Sequence, residues 1–445
     1  MVLARLRRRG TPLAILSIVT LLSPVLLPIG SVLADQGSRT ETVQEAQSES
    51  PRANDSSVPS REQGGSSPDT SAESDPSMTL TASPAATTSP IKGTTSQLSL
   101  PQGAGKLRGM GESFSANLST GIAFYQVPFA LPAARGAVQP SLGLSYSSSG
   151  GQGMAGVGWG IGVPTISRQL DRGVPKYNDP TQGAGWHPEQ DRFVFGSDEL
   201  VPICLVQGTS CTGTSEVMPA WSAGWQYFRA RVEGAFLRFF WSPDHRTWRI
   251  QDKSGSSTEL GVPLDGSNST SALEADPSNL GRIFSWHVAR QYDVQGDVNP
   301  AAGAVPRPVN AIVYKYQVID GTSYLADIFD TSPAATPTSI DVTAYAHHVH
   351  LGYERRPDVT TSYRRGWAVR ASQRLTTVDV TSFGFAGTSS ARELVRRYHL
   401  GYESTSHVSL LTSVQMEGRC AQPVFESGGA LPASTGCPTL PSIPR

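Results

Sequence analysis

The chain has 445 residues, 36 Lys and Arg against 37 Asp and Glu, and a formal net charge of −1. That length allows one large or two to three ordinary domains. The even charge excludes the domain-wide basic excess that nucleic-acid binding calls for.

In chain order, residues 1–34 read as an export signal. Arg5, Arg7, Arg8 and Arg9 form a basic start, residues 13–29 are mainly apolar, and Val32-Leu33-Ala34 offers small cleavage positions. The alternative, an uncleaved anchor, is disfavoured because the apolar run has only 17 residues and contains Pro24 and Pro28. No cysteine lies there, so lipoprotein-type acylation is excluded. Cleavage after Ala34 removes four arginines and no acids, leaving 32 basic residues against 37 acidic ones. Residues 35–97 contain no Phe, Trp, Tyr or Cys. Such a segment buries too little apolar surface to offset its ordering entropy, which predicts a disordered tether.

From residue 98 onward, short apolar runs alternate with Gly, Pro, Ser and Asn clusters, predicting an all-β fold of antiparallel hairpin sheets. Leu142, Leu144 and Tyr146 fall on one strand face, and Ser141, Gly143 and Ser145 on the other. Gly156, Gly158, Gly160 and Gly162 then alternate with Val157, Trp159, Ile161 and Val163. At period two this predicts a bare glycine face that another strand or ring approaches closely. Residues 236–241 and 246–250 flank a Ser-Pro-Asp-His turn, with Trp248 and Ile250 inward and Thr247, Arg249 and Gln251 outward. In 311–319 the apolar face is Ile312, Tyr314, Tyr316 and Val318. Residues 391–397 are compatible with helix or strand. The sequence HLGYE occurs at 350–354 and again at 399–403, followed by LTTV at 375–378 and LTSV at 411–414. A strand–loop–strand unit used twice predicts a sheet extended by successive hairpins.

Residues 100–121 (LPQGAGKLRGMGESFSANLSTG), 140–153 (PSLGLSYSSSGGQG) and 156–168 (GVGWGIGVPTISR) resemble the N-terminal domain shared by the Salmonella virulence plasmid B protein and the B components of insecticidal toxin complexes. The likeness continues through DRFVFGSDELVP at 191–202, Trp286-His287-Val288, the Asp293–Asp297 turn and residues 352–375, and so covers about 98–416. It implies part of a large hollow β-shell built with tyrosine/aspartate-type repeats. It further implies that any ADP-ribosyltransferase sits in a separate C-terminal domain. Such chemistry needs a Ser-Thr-Ser strand and a Glu-x-Glu pair. Ser404-Thr405-Ser406 matches by spelling alone, and after it only Glu417 and Glu426 occur. The self-cleavage signature of the partner C component has no counterpart either.

Other candidates weigh towards structure. Residues 151–156 spell G-x-G-x-x-G, but a dinucleotide fingerprint needs a helix directly behind it, and here a strand pattern follows. His348 and His350 share a strand face, with His347 on the other, and no third metal ligand is evident. Arg355, Arg356, Arg364, Arg365, Arg370 and Arg374 cluster around Asp358, beside Tyr363 and Trp367, and read as loop residues pairing with Glu354 and Asp358 rather than as a polyanion site. No G-x-S-x-G, H-E-x-x-H or P-loop is present. The four cysteines form two local pairs, Cys204 with Cys211 and Cys420 with Cys437. Export permits disulfides, with short-range pairing the simplest of three connectivities and free thiols the other reading.

The sequence is therefore organised as an export signal (1–34), a Ser/Thr/Pro-rich linker (35–97) and a β-domain (98–445). The expectation is a secreted, non-catalytic shell module that encloses or presents a toxin cargo. The residues expected to matter are structural: Gly156, Gly158, Trp159, Gly160, Gly162, Tyr353 and Tyr402. No catalytic residue, cofactor or metal is nominated. Expected partners are other shell segments or a partner toxin chain, with no nucleic acid and no membrane beyond the export signal. The alternative is a stalk-displayed module that binds a host-surface glycan or protein through exposed Trp221, Trp225 or Trp241. A secreted hydrolase is a minor alternative.

Overall fold

Turn-forming Gly, Asn and Asp cut the chain into short strands from the first described element onward. The computed structural model describes residues 113–179, 190–203, 217–301, 304–333, 341–384, 391–440 and 443–444. The expected export signal, the tether and residues 98–112 lie outside the described residues, as do Cys204 and Cys211. Within the described residues there is no α-helix, only 3-10 turns at Ala220–Ser222 and Val342–Ala344.

Strands β1 (Ser113–Asn117), β2 (Ile122–Pro128) and β3 (Gly143–Ser147) are followed by a small hairpin of β4 (Gln152–Gly153) and β5 (Gly156–Val157). β6 (Trp159–Ile161) then returns to complete a four-stranded sheet in the order β1-β2-β3-β6. The glycine alternation does not make one regular strand. Gly156 (φ +105°) and Gly158 (φ +78°) adopt left-handed angles, so β5 and β6 belong to different sheets. A Cβ on Gly158 would overlap the Tyr146 ring, and one on Gly156 the Ser409 carbonyl, whereas Gly160 and Gly162 face open space. The close approach thus holds at two of the four glycines. Trp159 is buried, with its ring 5.1 Å from that of Tyr146 and 6.2 Å from that of Tyr125.

The next strands curl into a closed barrel that the sequence pattern does not announce. They are β7 (Thr165–Arg168), β8 (Phe193–Phe195), β9 (Asp198–Pro202), β10 (Gln226–Ala230), β11 (Arg238–Trp241), β12 (Thr247–Gln251), β13 (Ser257–Gly261), β14 (Leu273–Asp276) and β15 (Asn279–Tyr292). The 14-residue β15 pairs on one edge with β7 and on the other with β13, and so closes the ring β7-β8-β9-β10-β11-β12-β13-β15. Aromatic side chains fill the interior. Phe193 lies 4.8 Å from Trp241, 5.1 Å from Trp248, 5.8 Å from Trp286 and 5.9 Å from Phe228, centroid to centroid. The indole N–H groups of Trp241 and Trp286 both donate to the His245 carbonyl. Trp248 and Ile250 face inward as expected, but Thr247, Arg249 and Gln251 are buried as well. The reason is a cover over the outer face: the Arg249 guanidinium lies 3.9 Å from the centre of the Trp221 ring.

After a short ribbon of β16 (Gly296–Asp297) and β17 (Arg307–Pro308), the chain leaves the barrel along β15 and builds an antiparallel meander. Its strands are β18 (Ala311–Ile319), β19 (Thr322–Asp330), β20 (His347–Ser362), β21 (Val369–Ser382), β22 (Glu393–Tyr402), β23 (Leu411–Glu417) and β24 (Ile443–Pro444), in that spatial order. The ambiguous 391–397 segment is strand from Glu393 onward. In β18, Ile312, Tyr314 and Tyr316 are buried, whereas Val318 near the strand end is exposed. The four-stranded sheet packs on the meander through one core, in which Val127, Leu144 and Trp159 meet Leu325, Val349, Leu351, Val378, Leu400 and Val414.

Because Phe193 touches four other rings of the barrel, Phe193→Ala is expected to cost about 3–5 kcal/mol. Urea unfolding of the two proteins measures this, and a loss below about 1 kcal/mol would mean that the ring is not the hub of that core.

Candidate functional site

The repeated unit is where sequence and geometry meet. In β20, Leu351 pairs with Val378 and Gly352 with Thr377, then Tyr353 pairs with Leu375, leaving Thr376 as the extra residue of a bulge. In β22 the same step recurs: Leu400 with Val414, Gly401 with Ser413, Tyr402 with Leu411, and Thr412 extra. A Cβ on either glycine would collide with the hydroxyl opposite, Thr377 Oγ1 or Ser413 Oγ. The tyrosines then join each hairpin to the one before. Tyr402 Oη donates to the Leu375 carbonyl at 2.6 Å, and Tyr353 Oη to the Leu325 carbonyl at 2.8 Å. Leu325 belongs to a third, divergent copy. There Tyr314 pairs with Ile328, Lys315 with Asp327 and Tyr316 with Leu325, with Ala326 extra. Its signal in the sequence is YKYQ followed eleven positions later by LADI, the same interval that separates LGYE from LTSV.

A polar clamp fixes the β4–β5 hairpin onto this meander. The register between β20 and β21 breaks between Arg355 and Thr360, which projects Arg356 and Asp358 out of the ladder. Arg356 Nε donates to Asp358 Oδ1 at 2.9 Å and its NH1 to the Gly153 carbonyl at 3.1 Å. Gln152 Nε2 donates to Asp358 Oδ2 at 2.6 Å, and Ser409 donates to the same carboxylate through Oγ (2.6 Å) and N (2.8 Å). Backbone bonds from Val157 N to Ser409 O and from Leu375 N to Met154 O complete it. Burial would raise the Asp358 pKa, but the hydrogen bonds from Arg356 and Ser409 hold it well below the usual carboxylate range. The G-x-G-x-x-G spelling is therefore a hairpin turn held by this clamp, with no helix behind it. Three of the six clustered arginines are likewise paired with carboxylates: Arg356 with Asp358, Arg374 with Glu354 at 2.6 Å, and Arg365 with Glu274 at 2.7 Å.

Two further clusters bring histidines and carboxylates together. At the first, Ser285 Oγ donates to Glu274 at 2.5 Å, and His287 Nε2 lies 3.7 Å from the same carboxylate. Glu274 thus stands between Ser285 and His287, and all three are buried, so no accessible nucleophile faces a base. Burial pushes Glu274 up, but His287, Arg365 and Ser285 outweigh it and draw the carboxyl down to about 2. At the second, His348 Nε2 and His350 Nδ1 approach Asp327 Oδ1 at 2.9 and 2.7 Å, while His348 Nδ1 meets Glu426 Oε1 at 2.7 Å. Burial opposes protonation of His348, yet Asp327 and Glu426 raise its pKa, and its partners lower that of Asp327 to about 2. Asp327 corrects the expectation that the two histidines lack a third companion; it lies on the neighbouring strand, cross-strand from His350. His347 pairs instead with Asp330 at 2.6 Å.

Several expected positions fall elsewhere. Trp221 and Trp241 are buried, so neither is an exposed platform, and Trp225 packs edge-on against Trp221 at 5.5 Å. Ser404, Thr405 and Ser406 lie between β22 and β23, not in a strand, with the Thr405 hydroxyl and N–H donating to Glu403. Cys420 and Cys437 are joined by a disulfide across 17 residues. No bond is assigned to the other expected pair, Cys204 and Cys211, because Cys204 and Cys211 both fall outside the described residues.

A model of the Salmonella virulence plasmid 65kDa B protein family matches residues 117–362. Mono(ADP-ribosyl)transferase SpvB of Salmonella choleraesuis strain SC-B67 is 28% identical over 208 residues, which is 45% of this chain and 31% of that protein. SpvB of Salmonella typhimurium is 28% identical over 196 residues, 42% and 30% of the two chains. The match thus spans under a third of these relatives' length. Among solved structures, TcdB2-TccC3 superposes with a TM-score of 0.56 at 21% identity, over 78% of this chain and 17% of that one. The Photorhabdus luminescens Tc holotoxin pore gives 0.57 at 20% identity, over 78% and 16%. The N-terminal domain of effector protein SpvB from Salmonella typhimurium strain LT2 gives 0.50 at 20% identity, over 66% of this chain and 98% of that one. Fold and comparisons together define an all-β domain of a virulence-plasmid protein family, with a fold shared with Tc toxin structures. The chain belongs to the Salmonella virulence plasmid 65kDa B protein family, and the part it shares with SpvB is the N-terminal domain.

Two outcomes follow from the buried charges. Asp358→Ala leaves Arg356, Gln152 and Ser409 without their common acceptor, with an expected loss of at least about 2 kcal/mol. It should also give faster amide exchange at Val157 and Leu375; unchanged protection there would show that the clamp does not hold the hairpin. Glu274, drawn from 4.5 to about 2, contributes stability that is present above pH 4.5 and lost as pH falls towards 2. The stability gap between wild type and Glu274→Gln should therefore shrink by on the order of 3 kcal/mol across that window in pH-dependent urea unfolding.

Proposed function

We propose that this chain is a non-catalytic wall segment of an exported toxin-complex-like protein, contributing strands to a β-shell that encloses or presents a toxin cargo. The observation that carries this reading is the bulged hairpin used three times in succession, with the tyrosines of the second and third copies, Tyr353 and Tyr402, each bonded to the unit before. A unit that recognises its own predecessor extends a sheet without leaving a free edge at each step, as an enclosing wall requires. The buried, paired polar clusters support a structural role, because the described carboxylates and arginines hold backbone and each other rather than converge on a cleft.

Residues 1–34 direct export, residues 35–97 act as a tether, and the β-domain from residue 98 does the building. Its partners are further shell segments or a partner toxin chain. ADP-ribosyl transfer, the activity in the name of the SpvB relatives, belongs to a part of those proteins outside the matched segment and is not assigned here.

Incubating the full chain with labelled NAD+ and a eukaryotic lysate should transfer no label. Co-expression with the shell or toxin chain encoded beside it should yield a stoichiometric complex in which the cargo resists added protease. Label transfer that survives purification, or a chain that stays alone beside its neighbour's product, would overturn the reading.

A further inference from the structure

We propose that Asp327, His348 and His350 form a binding site for a divalent transition-metal ion, with zinc the best match to two imidazoles and one carboxylate. The three donor atoms lie within 4.8 Å of one another. They come together because Asp327 and His350 are directly paired across β19 and β20, and His348 sits two residues along on the same face. Each donor is already oriented. The His348 ring stacks on Phe329 at 4.2 Å with planes 5° apart, and its Nδ1 is held by Glu426 at 2.7 Å, which turns Nε2 towards Asp327. A carboxylate behind a ligating histidine is the usual support for such an ion, and Glu426 is in turn fixed by Arg392 at 3.1 Å and by the Thr381 hydroxyl.

Access is one-sided. The His348 side chain is 2% exposed, whereas His350 and Asp327 are 32% and 24% exposed, so solvent reaches the outer side where a fourth ligand belongs. Tetrahedral zinc at about 2.0–2.1 Å from nitrogen sets donors about 3.3 Å apart. From present separations of 2.7 and 2.9 Å, the partly exposed Asp327 carboxyl draws back by about half an ångström, and the two imidazole nitrogens, now within 4.8 Å of each other, close towards the same spacing. On binding, His348 gives up its Nε2 proton to solvent and keeps Nδ1–H on Glu426, while His350 ligates through Nδ1 with its one remaining proton on Nε2.

The next hairpin supplies an internal control. Its histidine, His399, stands at the place of His350, but Thr377 replaces Asp327 and Arg397 replaces His348. There Arg397 closes a two-pronged fork on Asp379 at 2.6 and 2.8 Å, which offers a cation no lone pair. The donor set is therefore particular to one hairpin and not a by-product of the repeat.

The full chain, stripped with chelator, is titrated with Zn2+ by calorimetry and with Co2+ by visible absorption. The expected result is one ion per chain at about micromolar affinity or tighter. His350→Ala and Asp327→Asn should each weaken binding at least about tenfold, and Glu426→Gln about 10–100-fold without changing the stoichiometry. Zinc-edge X-ray absorption of the unmodified protein, which needs no variant to fold, should report two imidazoles. No Zn2+ heat and no Co2+ band, a different imidazole count, or affinity untouched by His350→Ala and Asp327→Asn would overturn the site.

Discussion

The bond on which the meander depends runs from a tyrosine hydroxyl to a leucine carbonyl one hairpin back. A β-bulge leaves one residue out of the ladder and turns its neighbours' polar groups away from strand partners. In this protein the bulge opens the leucine carbonyl, and the tyrosine of the following hairpin fills it, at Leu325 with Tyr353 and at Leu375 with Tyr402. A buried carbonyl left unfilled would cost as much as a lost hydrogen bond. Each hairpin therefore specifies both the register and the chemistry of the next. The glycine just before each tyrosine is part of the same device, since only a bare α-carbon lets the opposing hydroxyl lie flat against the strand.

A second constraint is that both faces of much of this sheet are covered. Strands of an antiparallel sheet usually alternate core and solvent, yet β12 buries every residue it has. Charged side chains on the second face are thus held inside the protein, where they must be paired. Arg397 forks onto Asp379, Tyr292 and Arg290 meet Glu259, and Arg168 bridges Asp179 and Asp191. Such pairs add little net stability over apolar packing, but losing one partner strands the other. They act as registry marks for a fold made of many similar strands.

The barrel and the meander share one strand. β15 closes the ring by pairing with β7 along residues 285–287 on one edge and with β13 along residues 288–292 on the other, and hands the sheet on to β18 along residues 290–292. The Tc structures and the SpvB N-terminal domain superpose on this chain at about 20% identity, at which level the fold is what they have in common.

Much of the architecture was legible in the residues. Alternation and turn clusters specify strands, and the HLGYE echo specifies hairpins added in series, because both depend on neighbours in the chain. The divergent YKYQ copy was not read from the sequence, because Lys315 in place of glycine disguises it, although its eleven-residue interval is the same. Barrel closure was not legible, since it rests on which distant strands meet the two edges of β15. The same holds for the clamp of Gln152, Asp358 and Ser409 and for Asp327 beside His348 and His350. Glycine spelling alone placed four close approaches where tertiary contacts supply only two. Period and turn chemistry act along the chain and survive in one dimension, whereas pairing across a sheet is decided by register, and register exists only once the strands have come together.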